Sequence, residues 1–153
     1  MQSKPIIRFV KTNDLEELII LCKEHAEYEK SDFKVLGKKE ALKKHLFGSN
    51  PSLYCLVVEV NSQLIGYSTF MKQFCTWESE FYIYMDCLFL NGLSRGLGLG
   101  EQMINRIKAE SVNLGCDLIQ WQTPDFNTGA IRFYNRVGAI SKTKERFFLS
   151  PSS

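Results

Sequence analysis

Apolar residues recur along this chain with two different periods, and the switches between them divide it into elements. Ile6 to Val10 is a short apolar run of strand type. Behind it Leu15, Leu18, Ile19, Cys22 and Ala26 fall on one helical face, a stripe that needs a core to cover it. Thr12-Asn13-Asp14 offers an N-cap, and Glu16 stands three after Asn13 in a capping-box spacing. After a largely polar stretch from Lys30 to Lys34, Lys38 to Phe47 predicts a second, weaker helix that Gly48-Ser49-Asn50-Pro51 ends. The period then changes. Leu53 to Val60 and Gln63 to Met71 are strands joined by the turn Asn61-Ser62. Phe81 to Leu90 is almost wholly apolar, which predicts a central strand. Helical spacing returns from Gly98 to Leu114 with Met103, Ile104 and Ile107, and Gly115 ends it at C′. Asp117 to Gln122 predicts a strand, Asn127 to Val137 a helix ended by Gly138, and Lys144 to Leu149 a last strand.

The order is β-α-α-β-β-β-α-β-α-β. An antiparallel meander feeding a later βαβ unit predicts an α/β chain with a mixed sheet. At 153 residues, without repeat or linker, residues 1–153 are expected to form one domain. The hydrophobic fraction of 44% is ordinary for a globular chain, and no apolar run approaches the ~20 residues of a membrane helix. Met1-Gln2-Ser3-Lys4-Pro5 lacks the apolar stretch of a signal peptide, so the expected location is cytoplasmic, with no membrane partner. A net charge of +2, without Lys/Arg blocks interleaved with aromatics, predicts no nucleic-acid face. Cys22, Cys55, Cys75, Cys87 and Cys116 are odd in number and scattered, and read as reduced, mostly buried thiols. His25 and His45 have no ligand-spaced cysteine, so no metal is expected.

The chemistry concentrates in Arg95-Gly96-Leu97-Gly98-Leu99-Gly100-Glu101, between the apolar strand and the helix behind it. Glycines let the backbone approach a ligand closely. The first N–H groups of a helix point outward with partial positive charge, which suits phosphate. A P-loop needs Lys and Ser/Thr after its last glycine, but Glu101 and Gln102 stand there. A dinucleotide fingerprint needs glycines one and then three apart, which Gly96, Gly98 and Gly100 do not provide.

Arg95-x-x-Gly98-x-Gly100 resembles the (Gln/Arg)-x-x-Gly-x-(Gly/Ala) acyl-CoA loop of the GNAT N-acetyltransferases. Asn127-Thr128-Gly129-Ala130-Ile131-Arg132-Phe133-Tyr134-Asn135-Arg136-Val137-Gly138-Ala139 is similar to that family's Asn-x-x-Ala-x-x-(Phe/Leu)-Tyr-x-x-x-Gly-(Phe/Ala) segment. The two motifs stand in the family's order, and the order of elements is that of its fold. Within the superfamily the chain most resembles the diamine (spermidine/spermine) N-acetyltransferases and their thialysine-acetylating relatives. Lys23-Glu24-His25-Ala26-Glu27-Tyr28-Glu29 matches their Lys-Glu-Leu-Ala-Lys-Tyr-Glu type of segment. Ile83-Tyr84-Met85-Asp86 falls where they have Tyr-Leu-Glu.

The resemblance implies acetyl-CoA as co-substrate and a small-molecule acceptor, a primary amine of an aliphatic di- or polyamine or a lysine-like amine, with a homodimer as the default; the alternatives are an aminoglycoside, amino-acid or protein-lysine acceptor, or a non-catalytic acyl-CoA-binding module. It assigns the coenzyme pyrophosphate to Arg95, Gly96, Leu97, Gly98, Leu99, Gly100 and Glu101, and the pantetheine arm to the backbone of Leu88, Phe89 and Leu90. Asn127, Ala130 and Tyr134 join the coenzyme site. Tyr134 is the candidate acid for the leaving thiolate, since a phenol with pKa near 10 keeps its proton at neutral pH. Asp86 is the candidate proton acceptor on the amine side, directly or through water. An aspartate is shorter than the family's glutamate, which favours the water. A carboxylate buried there among apolar neighbours would be costly without a partner. Tyr28, Glu29, Asp86 and Trp77 are the candidate acceptor residues, with Glu27, Asp32, Glu78 and Glu80 as an acidic rim or a solvated face. The polyamine enzymes carry an Asp just before their tryptophan, where this chain has Cys75-Thr76.

Overall fold

The computed structural model describes residues 3–94 and 96–152. The chain divides into two compact units, one through Gln122 and one from Thr123 onward. The first holds β1 (Ile6–Phe9), a 3-10 turn (Thr12–Asp14), α1 (Leu15–Tyr28), α2 (Lys38–Phe47), β2 (Tyr54–Val60), β3 (Gln63–Cys75), β4 (Glu80–Leu90), a second 3-10 turn (Gly92–Ser94), α3 (Leu99–Asn113) and β5 (Ile119–Gln120). The second unit holds α4 (Thr128–Arg136).

Five strands lie in the order β1-β2-β3-β4-β5, antiparallel up to β4 and parallel between β4 and β5. The mixed sheet expected from the element order is therefore present. Asn61 and Ser62 turn β2 into β3 with φ of 51° and 62°, the left-handed pair that matches the twist of a tight hairpin.

Two helical layers cover the sheet. In β1, Arg8 reaches Asp14 at the head of α1 (2.7 Å), whereas its neighbour Phe9 lies under the Arg106 guanidinium of α3. Adjacent strand residues point to opposite faces, so α1 and α3 cover opposite faces. On the α1 side Leu15, Leu18 and Leu21 pack with Cys55, Val57, Leu64 and Tyr67, joined by Leu42 and Phe47 of α2. Burial of each such aliphatic side chain contributes about 1.5–3 kcal/mol. On the α3 side Leu99, Met103 and Ile107 are fully buried. Arg106 also donates to the Ile7 carbonyl at 3.0 Å and fixes where α3 crosses β1.

Three expectations change. α1 begins at Leu15, with Asp14 in the cap position instead of Asn13. The Asp14 carboxylate accepts the Lys11 N–H (2.7 Å) and pairs with Arg8, so it anchors the preceding turn to the sheet. β5 shrinks to two residues, because Ile119 and Gln120 alone find a ladder partner, on Ile83 and Tyr84. Lys144 to Leu149 is not a strand. An extended segment becomes a strand only when a neighbour supplies a ladder, and among the described residues none pairs with it. Phe147, Phe148 and Leu149 are consequently exposed.

Candidate active site

β4 carries Asp86 and the candidate pantetheine edge, and one irregularity organises it. Thr69 of β3 pairs with Cys87 and Phe70 with Met85, so Asp86 has no opposite number. This is a β-bulge, two residues facing one, and it bends and twists the strand locally. Its effect on side chains is large. Met85 pairs with Phe70 on one face, whereas Cys87 and Phe89 pack with the Tyr67 cluster on the other. Without the extra residue, positions 85 and 87 would share a face. Asp86 itself is exposed. The burial cost expected for its carboxylate does not arise, because the bulge aims the side chain out of both cores. The Cys87 thiol lies 3.8 Å from Asp86 Oδ2.

Beyond the bulge the outer edge of β4 opens. β5 pairs only with Ile83 and Tyr84. Among the described residues, no strand continues along the outer edge of Leu88, Phe89 and Leu90, which are half-buried. A polar chain with amide groups could pair there.

The strand runs directly into the glycine loop. Asn91 organises the entry, its side chain accepting from the Leu93 N–H (3.0 Å) and its carbonyl from the Ser94 hydroxyl (2.7 Å). Arg95 lies outside the described residues. Gly96 and Gly98 have φ of +77° and +66°, a conformation that side chains with a Cβ adopt at a cost. A Cβ built at either glycine meets nothing within 4 Å, so both glycines face open space. Gly98 is the N-cap of α3, and its carbonyl accepts the Gln102 N–H at 3.3 Å. Leu99 is buried as an anchor, while Leu97 and Glu101 are exposed. The first turn of α3, at Leu99, Gly100 and Glu101, therefore points its N–H groups into the space that the glycines leave open. An anion fits this arrangement.

The acceptor candidates gather at the end of α1. Tyr28 is exposed, and its ring stands 6.3 Å from that of Phe89. Glu29 is half-buried, with Oε1 3.2 Å from His25 Nε2. The structure thus brings Tyr28 and Glu29 to the strand that carries Asp86. Trp77 is not brought there. It is 94% exposed at the tip of the β3–β4 hairpin, with Glu78 beside it. Glu80 begins β4, and Asp86 stands six residue steps further along the strand, roughly 20 Å. The acidic rim accordingly splits into two groups, Glu27, Glu29 and Asp32 near the end of α1, and Glu78 and Glu80 at the hairpin.

Residues the sequence did not single out join these candidates. His25 is buried, its Nδ1 2.7 Å from the Tyr67 hydroxyl and its ring stacked on Phe89 at 5.1 Å. The signal was the helical stripe itself, since Leu18, Cys22, His25 and Glu29 follow 4-3-4 spacing. Burial pushes the Tyr67 phenol far above its ordinary value. Burial, and secondarily the Asp86 carboxylate, pushes the Cys87 thiol up to about 11. Burial likewise raises Cys22 and Cys55. All five cysteines are free. Cys22, Cys55 and Cys87 stay protonated at neutral pH, which leaves them inert as nucleophiles. Among the described residues no group of three or more His, Cys, Asp or Glu side chains could hold a metal ion. Among the described residues no helix is long and apolar enough to cross a membrane.

In the second unit Asn127 caps α4. Its Oδ1 accepts the Ala130 N–H (3.4 Å) and its Nδ2 donates to Thr123 Oγ1 (3.4 Å). Tyr134 is half-buried on α4, its ring 5.4 Å from Phe133. Gly138, at φ +95°, ends the helix, and the Ala139 N–H closes onto the Tyr134 carbonyl at 3.0 Å.

Residues 13–139 match the acetyltransferase (GNAT) family, and the chain belongs to it. It is an acetyl-CoA-dependent N-acetyltransferase. It is similar to thialysine N-epsilon-acetyltransferase of Mus musculus, 28% identical over 152 residues, covering 94% of this chain and 89% of the mouse one. The corresponding Sus scrofa protein is 29% identical, over 91% of this chain and 86% of its own. Among solved structures, an aminoglycoside acetyltransferase from an uncultured soil metagenomic sample, in complex with sisomicin, shares the fold. Its TM-score is 0.79 at 18% identity, over 95% of each chain.

Proposed function

We propose that this enzyme acetylates a primary amine on a flexible aliphatic chain, a di- or polyamine or a lysine-like amino acid, by direct attack in a ternary complex. The observation that carries this reading is that Tyr28 and Glu29 gather about Phe89, on the same strand as Asp86 and three residues beyond it. Glu29 and Asp86 carry carboxylates, so a cation meets negative charge beside the strand proposed for the pantetheine arm. The similarity to thialysine acetyltransferases supports the same acceptor class. A second reading, an aminoglycoside acceptor, draws on the likeness in fold to aminoglycoside acetyltransferases.

The residues present fit the coenzyme. Gly96 and Gly98 leave open space at the head of α3, where a Cβ would intrude, and Leu88, Phe89 and Leu90 offer an open backbone edge. We assign the pyrophosphate to residues 95–101 and the arm to that edge. Asn127, Ala130 and Tyr134 are assigned to the coenzyme by their motif. Acetyl-CoA, when bound, supplies the acetyl thioester. Each protein group then has a task. A backbone N–H near Leu88 polarises the thioester oxygen. An alkyl ammonium with pKa near 10.4 is neutral in roughly one molecule in 10³ at pH 7, so a proton must be removed. Asp86 takes it; its exposure suits a relay through water. Tyr134 gives its proton to the leaving sulfur. The largest contribution is orientation of two substrates within reacting distance. We also propose that two copies pair in solution, with the exposed Phe147, Phe148 and Leu149 available to the contact; light scattering on the full chain tests this.

The deciding experiment measures thiol release from acetyl-CoA against a panel of aliphatic mono-, di- and polyamines, thialysine, lysine and aminoglycosides. Turnover of the charged aliphatic amines is the expected result. Turnover of aminoglycosides alone transfers the enzyme to the second reading.

A further inference from the structure

His25 sits where the resembling diamine enzymes have leucine, on the apolar stripe of α1, and it is buried. An imidazole in such a place is tolerated only when both nitrogens are satisfied. Here both are, and the two partners differ in kind. Nδ1 faces the Tyr67 hydroxyl at 2.7 Å, deep between α1 and the sheet. Nε2 faces Glu29 Oε1 at 3.2 Å, at the rim. Phe89 stacks on the ring at 5.1 Å and an interplanar angle of 19°.

The chemistry of the partners orders the hydrogens. The buried Tyr67 phenol keeps its proton and can donate it to Nδ1. A carboxylate only accepts, so Nε2–H donates to Glu29. An imidazole with its hydrogen on Nε2 thus satisfies a donor behind it and an acceptor in front. With Tyr67 behind it and Phe89 stacked on its face, the ring is held in place, and Glu29 inherits its orientation. A bond through Oε1 keeps Oε2 for an incoming ammonium.

We propose that His25 is a positioning residue for acceptor choice: through Tyr67 it fixes Glu29 so that the carboxylate meets the distal charge of a dicationic amine. This rests on the aliphatic-amine reading given above. It assigns the selection between singly and doubly charged acceptors to a buried histidine that touches neither substrate.

The test compares a monoamine with a diamine of equal chain length, in the full-length enzyme at saturating acetyl-CoA. His25→Leu is expected to raise KM for the diamine at least fivefold, with kcat and both the monoamine and acetyl-CoA KM values within twofold. His25→Gln, whose Oε1 can accept from Tyr67 while Nε2 donates to Glu29, is expected to restore most of the diamine KM. Equal KM changes for the two amines, or failure of Gln to do better than Leu, overturns the proposal and leaves the aliphatic-amine reading standing. If neither amine is turned over by the unaltered enzyme, both fall together. Should His25→Leu not fold, Tyr67→Phe releases the back of the ring and is expected to raise diamine KM selectively; an unchanged KM in that folded variant overturns the proposal as well.

Discussion

Replacing Gly98 with alanine separates what the loop does for the fold from what it does for the coenzyme. Gly98 has φ +66° at the head of α3, and Gly115 has φ +75° just past its end. A Cβ at either meets nothing within 4 Å. The steric consequence in the free protein is therefore the same at both ends: a left-handed residue with a side chain, costing roughly 1 kcal/mol. In a chain of this size that lowers Tm by about 2–4 °C. Only the Gly98 methyl would stand in the space assigned to the pyrophosphate. Gly98→Ala is expected to weaken acetyl-CoA binding at least tenfold, about 1.4 kcal/mol, while Gly115→Ala binds as the unaltered enzyme does. Calorimetric titration with acetyl-CoA reads the affinity and differential scanning reads Tm. Two variants that lose equal stability and bind the coenzyme equally well would refute the phosphate cradle.

Tyr134→Phe is expected to lower kcat about 10²-fold with little change in acetyl-CoA affinity; a kcat within twofold would make the hydroxyl structural. Asp86→Asn is expected to slow turnover by about 10²-fold near neutral pH. Its deficit should shrink as pH approaches the amine's own pKa, because solvent then supplies neutral amine; a deficit constant with pH would count against proton acceptance. Gly66→Ala introduces a Cβ that collides with the Leu90 side chain and lies 2.9 Å from the Phe89 carbonyl oxygen. It is expected to cost about 1–3 kcal/mol, read by denaturant melts. The Arg8 guanidinium hydrogen-bonds Asp14 and depresses its carboxyl below the ordinary 3.8. That stability is fully present above pH 3.8 and is lost as pH falls towards the depressed folded value. Asp14→Asn should therefore flatten the decline of Tm below about pH 4 and lower Tm at neutral pH.

Elements that carry their own periodicity were legible in the sequence. α2 has the expected bounds, β2 and β4 differ by a residue at one end and α3 by a residue at each, because stripe, turn and cap residues are local signals. β3 runs on from Met71 to Cys75 because its hairpin partner does, a property of the pair. Lys144 to Leu149 has strand composition without a ladder. Asp86 was singled out for its chemistry, yet its exposure was not foreseeable: a bulge is a mismatch between two strands, and neither strand's sequence displays it. His25 was weighed only as a metal ligand. Its partners Tyr67 and Glu29 are 42 and 4 residues away, and one of these distances is invisible to a helical pattern.

The bulge at Asp86 also bears on how such an enzyme can change. A residue inside a ladder is constrained twice, by the partner strand and by the core beneath it. Asp86 stands outside both. Acid length and identity at this position can vary without disturbing Met85 or Cys87, so the proposed proton acceptor can be retuned while the scaffold stays as it is. Loss of the residue, by contrast, would restore simple alternation and carry Met85 and every earlier β4 side chain to the opposite face. At this one position substitution is a chemical event and deletion is an architectural one.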